Sequence, residues 1–283
     1  DHHAIDIAVT DIQDQEFFMV EANDGGLGIS HDMGQTWEQI KNGYPTTQFY
    51  GVAKKPMAHE YIGGMQDNGT WQSPWGMAAG PASEYSDRVA GDGFEALWHP
   101  VYPHRMLASS YFNIIRLSTD GGETWEAATE GISGEGPFIT RLSNSPDNPD
   151  LVFAVGGRGV YRHTNFCVGR YPWELVEIDT GWALFDQVTS SHNVEVSLAD
   201  PSVVWAVAGL HEDPDLFIFL SGDYGKTFEK VSLYPEREMG YITGIATHPI
   251  DTGTAYLLFS TDHKPKILRT EDFGESWEDI TGF

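Results

Sequence analysis

Three aspartates sit in short glycine-flanked stretches: Asn23-Asp24-Gly25-Gly26, Gln66-Asp67-Asn68-Gly69 and Gly91-Asp92-Gly93-Phe94. Carboxylates in such loops have two uses. They cap tight turns by accepting backbone N–H groups, or they offer oxygens to a ligand. Two carboxyl groups about 5–5.5 Å apart, or about 6.5–9.5 Å apart, form the acid-and-nucleophile or acid-and-base set of glycoside hydrolysis. Asp67 and Asp92 are the candidate catalytic pair for that chemistry, with Asp24 in reserve. Around them the chain offers amides, cations and rings suited to holding a glycan or a peptide. These candidate ligand-binding residues are His2, His3, Asp24, Gln66, Asn68, Arg88, Tyr111, Arg158, His192 and His211. Asn23, Asp87, Asn113, Asn193, Glu212, Asp213, Tyr241, Asp262 and His263 belong to the same inventory.

Other chemistries find little support. No phosphate-binding Gly-x-x-x-x-Gly-Lys loop, Gly-x-Ser-x-Gly elbow or Cys-x-x-Cys pair occurs. His2, His3, His192, His211 and His263 lack the close spacing on one strand that would mark a metal site, so no metal ligands are assigned. No EF-hand loop supports a structural calcium, and no cofactor is expected. Cys167 is the single cysteine, which excludes an internal disulfide.

The elements that position these residues are read from repeats. Short alternating strands end in a turn at Asp11, Pro56, Pro100, Pro146, Pro201 and Pro249, at intervals of 45, 44, 46, 55 and 48 residues. A period of that length with four strands per unit predicts an all-β propeller of six four-stranded blades. A strongly apolar second strand follows each turn, such as Leu151-Val152-Phe153-Ala154-Val155. The blades fall at about 1–44, 45–90, 91–135, 136–190, 191–238 and 239–283, in one propeller domain. The chain starts at a first strand and ends at a fourth. Either the ring closes by side-chain packing alone, or further blades lie in a longer chain.

A second motif recurs inside the repeats. Ser118-Thr119-Asp120-Gly121-Gly122-Glu123-Thr124-Trp125 has counterparts at Ser30–Trp37, Ser221–Phe228 and Thr270–Trp277. The pattern is Ser/Thr-x-Asp-x-Gly-x-Ser/Thr-aromatic. It suits a hairpin in which Asp accepts backbone N–H groups and Gly supplies positive φ. Trp37, Trp125, Trp173 and Trp277 fall at equivalent outer positions and read as packing residues. Repeats two and four lack the motif.

This motif resembles the Asp-box, or BNR repeat, of the β-propellers in sialidases, xyloglucanases, sortilin-type receptors and photosystem II assembly factors. The stretches around Asp24, Asp67 and Asp92 most resemble bacterial sortilin-like or glycosyl-hydrolase-like propellers. The resemblance implies that Asp32, Asp120, Asp223 and Asp272 are structural turn-formers. It places the active face at the opposite end, formed by the loops entering each first strand and those between second and third strands. A sialidase is not expected, because no Arg-Ile-Pro stretch occurs and only Arg88, Arg141 and Arg158 could serve a substrate carboxylate.

Charge narrows the partners. Against 42 Asp+Glu stand 16 Lys+Arg, a formal net charge of −26. Such a surface repels nucleic-acid phosphates and anionic lipid, so no nucleic-acid partner is expected. No apolar run approaches the ~18–20 residues of a membrane span. A start without methionine fits a removed signal peptide, hence an extracellular or periplasmic location. Two functions remain: a binding or assembly module for a protein or glycan, or a glycoside hydrolase acting on an extracellular polysaccharide.

Overall fold

The computed structural model describes residues 2–11, 13, 16–40, 47–134, 136–169, 171–178, 182, 191–209, 217–231, 242–259 and 267–282. They form six four-stranded sheets, spanning 2–40, 49–89, 96–127, 142–177, 191–230 and 242–279. In each, consecutive strands pair antiparallel in chain order, the meander of a propeller blade. The described residues include no α-helix; a single 3₁₀ turn covers Tyr111–Asn113.

Apolar residues on both faces of the central strands explain the packing. Val152 and Ala154 look one way along Asn148–Gly156, toward the third sheet, while Leu151, Phe153 and Val155 look the other way, toward the fifth. Period two with both faces apolar is what a strand between two neighbouring sheets requires. Four clusters result, joining sheets two and three, three and four, four and five, and five and six. Burial of Phe153, Trp205, Ile218 and Leu257 in these clusters stabilises by roughly 1.5–3 kcal/mol per side chain.

The first sheet packs differently. None of its residues belongs to the four clusters, and Ile5, Ile7 and Val9 on its innermost strand are more than half exposed. It meets the second sheet through Gly25 and Gln39, whose Nε2 donates to Asn68 Oδ1 at 3.4 Å. The innermost strands of sheets two to six surround an axial channel of about 310 Å³.

All four Asp-boxes share one geometry. Asp120 accepts from Thr124 N at 3.0 Å and Thr124 Oγ1 at 2.5 Å, and Ser118 Oγ donates to it at 2.8 Å. Asp32, Asp223 and Asp272 repeat this with Thr36, Thr227 and Ser276. Sheet four substitutes His163, whose Nδ1 accepts from Asn165 N and Cys167 N, both at 3.1 Å. Sheet two substitutes a latch onto its neighbour. Gln72 Nε2 donates to Gly121 O at 3.0 Å. The Trp75 ring covers both Gly121 and the Lys55 ammonium, which Glu60 holds at 2.8 Å.

Candidate functional site

The loops after Tyr61–Met65 and before Ala96–Trp98 come together at the end of the propeller opposite the Asp-boxes. Glycine makes the approach feasible. A Cβ on Gly64 would lie 2.4 Å from Phe94 N, and one on Gly93 would lie 2.4 Å from Gly69 O. Backbone thus touches backbone: Gly93 N donates to Met65 O at 2.9 Å. Asp67 adopts a left-handed conformation, φ +63°, and Asp92 Oδ1 accepts its N–H at 2.8 Å. One oxygen of Asp92 therefore holds the turn that presents Asp67.

Asp24, Asp67 and Asp92 line one open cavity of about 500 Å³, with Glu21, Asn23, Trp37 and Gln39. Burial, then the negative charges of Asp92 and Asp24, push the Asp67 carboxyl above its usual value. His3 pairs with Asp24, and this hydrogen bond holds the Asp24 carboxyl below its usual value. Trp37 departs from the packing role expected of it. It is 41% exposed, belongs to none of the four apolar clusters and lines the cavity. Trp125, Trp173 and Trp277 do pack in the apolar clusters.

The other expected residues divide. Asn68 joins the site's edge through Gln39, and Gln66 Oε1 accepts from Tyr50 Oη at 2.8 Å. A methyl group built on Gly91 would lie 3.9 Å from the Tyr111 ring, so Tyr111 borders the Asp92 loop. Arg88 does not join them. Although its strand, Ser86–Val89, leads into the Asp92 loop, its guanidinium turns away to pair with Glu123 in the neighbouring Asp-box turn at 3.2 Å. His192 is also withdrawn: it is 3% exposed and packs edge-on against Trp182. Arg158 lies in the turn after Asn148–Gly156, highly exposed and paired with Glu177. Arg141 stands in the axial channel, held by Glu95 at 2.9 Å. The side chain of His2, and residues His211, Glu212, Asp213, Tyr241, Asp262 and His263, lie outside the described residues. Among the described residues, no three His, Cys, Asp or Glu side chains converge as metal ligands would.

No motif or repeat position points to Phe112. It belongs to the same loop as Tyr111 and is 41% exposed. The adjacent Tyr-Phe pair in a loop of that face was the available signal.

Comparison with known proteins agrees with this architecture. The BNR/Asp-box repeat family matches residues 116–127, the box around Asp120. No curated protein sequence matches the chain. Among solved structures it is similar to an ancestral GH74 enzyme, with 14% identity and a TM-score of 0.63 over 99% of this chain and 38% of that one. The GH74 xyloglucanase from Xanthomonas campestris shares 16% identity, with a TM-score of 0.55 over 97% of this chain and 38% of the other. YCF48 bound to D1 peptide shares 16% identity, with a TM-score of 0.53 over 93% and 78%. The chain spans about two fifths of the length of the GH74 enzymes. At these identities the likeness establishes the fold: an Asp-box β-propeller of six four-stranded sheets.

Proposed function

We propose that this propeller is a secreted glycan-binding module whose upper face, at Asp67 and Asp92, holds an extended polysaccharide. The observation that carries the reading is the joining of these two aspartates, from different sheets, in one open cavity. Carboxylate and amide oxygens accept sugar hydroxyls, and exposed rings cover the apolar faces of pyranoses. The cavity holds Asp67, Asp92, Asp24, Asn23 and Gln39 beside the exposed Trp37.

Hydrolysis is the second reading, favoured by one observation. Asp67, with its carboxyl raised by burial and by Asp92, has the character of a general acid beside a second carboxylate. The likeness to a xyloglucanase is compatible with it. Against it, one Asp92 oxygen is committed to the Asp67 backbone.

Affinity electrophoresis through gels containing xyloglucan, mixed-linkage glucan or mannan, beside a reducing-sugar assay on the same polymers, tests both readings. Retardation without sugar release, lost in Asp67→Asn, supports the binding module. Release that disappears in Asp67→Asn supports the hydrolase. Neither retardation nor release on any polymer overturns the glycan reading and directs attention to a protein ligand, as with the peptide-bound YCF48.

A further inference from the structure

We infer that Phe112 is the stacking platform of the upper-face site and sets its specificity for the apolar face of a pyranose ring. This inference rests on the glycan reading of the Asp67–Asp92 site and names the part of that site which selects the sugar.

The argument begins with the backbone. Phe112 and Asn113 are consecutive non-glycine residues in the left-handed region, at φ +53° and +61°. Glycine reaches that conformation freely and asparagine with ease, whereas a bulky aromatic is disfavoured there. Neighbouring groups hold it in place. Phe112 N donates to Pro137 O at 3.2 Å, and Asn113 N donates to Thr140 Oγ1 at 2.8 Å. The buried Asn113 side chain donates to Val155 O at 2.5 Å, and Gly136 leaves the room it fills. The turn is thus anchored through Asn113, while the residue before it puts a large ring outward.

The ring itself is braced but uncovered. Phe112 packs edge-on against Tyr111 and Phe138, with centroids 5.5 and 5.7 Å away. Those two rings stack at 6.4 Å, and Phe138 continues through Phe94. Despite this support Phe112 stays 41% exposed. Core formation does not account for it, since it belongs to none of the four apolar clusters. Met33, Met57, Tyr224 and Phe273 are also exposed at positive φ, but they sit at the other end of the propeller, Met57 in the turn after Phe49–Lys54 and the other three inside Asp-box turns.

Its turn is tied to the loop that carries Asp92, where Ser110 Oγ donates to Asp92 O. The Tyr111 ring lies over Gly91 in that loop. An exposed ring on a turn joined to the Asp92 loop complements a sugar, which has hydroxyls around its rim for the carboxylates and C–H bonds on its face for the ring. A cationic peptide would also suit the carboxylates, and the test separates the two.

Isothermal titration of wild type, Phe112→Ala, Phe112→Leu and Phe112→Trp with cellohexaose and a xyloglucan oligosaccharide decides the matter. Thermal melts of each variant are recorded alongside. The expected result is about tenfold weaker binding for Ala and Leu, affinity within about threefold of wild type for Trp, and unchanged melting temperatures. Leu keeps an apolar side chain without a ring, so it decides the case if Ala unfolds. Ala and Leu variants that bind within twofold of wild type, while Asp67→Asn loses binding, overturn the role of Phe112 and leave the glycan reading standing. Wild type that binds neither oligosaccharide but does bind an oligolysine peptide overturns both.

Discussion

Glu195→Gln should stabilise the protein, and should do so only above about pH 5. Glu195 lies on the innermost strand of the fifth sheet and lines the axial channel, where Ser143 Oγ donates to its carboxyl at 3.1 Å. Glu95 also lines the channel, and Arg141 is already paired with it. Burial pushes the Glu195 carboxyl up from 4.5 to about 8; the Ser143 hydrogen bond opposes it, and the charge of Glu95 adds a smaller push upward. Between those values the folded protein keeps a proton that the unfolded chain releases, so stability falls as pH rises through that window. Below it both states are protonated and the effect vanishes. Fully expressed, the displacement costs up to about 5 kcal/mol; the channel is open to water, so roughly 1–3 kcal/mol is the expected size. A glutamine accepts the same Ser143 hydrogen bond and cannot ionise. Urea unfolding at pH 4.5, 6.5 and 8.5 measures the difference between variant and wild type. The reasoning predicts a difference near zero at pH 4.5, rising to about 1–3 kcal/mol in favour of the variant at pH 8.5. A difference that does not change with pH refutes it.

Three further perturbations test how the loops and sheets are held. Asp32, Asp120 and Asp223 have carboxyls lowered to about 2 by hydrogen bonds within their turns, so the stability they supply is present above about pH 4 and lost as pH falls toward 2. Acid unfolding of Asp120→Asn followed by circular dichroism should show a shallower loss over that range than wild type. Gly64→Ala places a methyl 2.4 Å from Phe94 N and should cost roughly 1–3 kcal/mol or more in chemical denaturation, with loss of sugar binding, because the Asp67 and Asp92 loops must separate. Trp75→Ala removes the ring that covers Gly121 and the Lys55 ammonium, and should lower the melting temperature by several degrees without changing affinity for an upper-face ligand.

Much of the fold was legible because a propeller repeats its local chemistry. The Ser/Thr-x-Asp-x-Gly-x-Ser/Thr spacing dictates the hairpin, since Asp32, Asp120, Asp223 and Asp272 each find hydroxyl and N–H partners within four residues. The strongly apolar second strands, such as Leu151–Val155, were legible too, and the structure packs them on both faces between neighbouring sheets. The substitutes for the missing boxes were not legible. The histidine that replaces Ser in the fourth sheet satisfies the same turn with a ring nitrogen, whereas Gln72 and Trp75 of the second sheet reach across to the neighbouring turn at Gly121.

Of the site, the convergence of Asp67 and Asp92 could be anticipated from the loops that carry them and from the glycines beside them. The fates of Arg88 and His192 could not. Which way a side chain turns from the end of a strand depends on partners distant in sequence: Glu123 draws Arg88 along the sheet, and Trp182 covers His192. Phe112 escaped notice because periodicity says nothing about a ring held outward by a left-handed turn whose anchors, Pro137 and Thr140, lie beyond the repeat.

The most direct test of the central claim is a crystal structure of the chain soaked with a cello- or xyloglucan oligosaccharide. The account predicts sugar density on the upper face, with hydroxyls within hydrogen-bond distance of Asp67 and Asp92 and a ring over Phe112. Ordered sugar at the Asp-box end, or in the axial channel beside Glu195, with the Asp67–Asp92 cavity left to water, would contradict it.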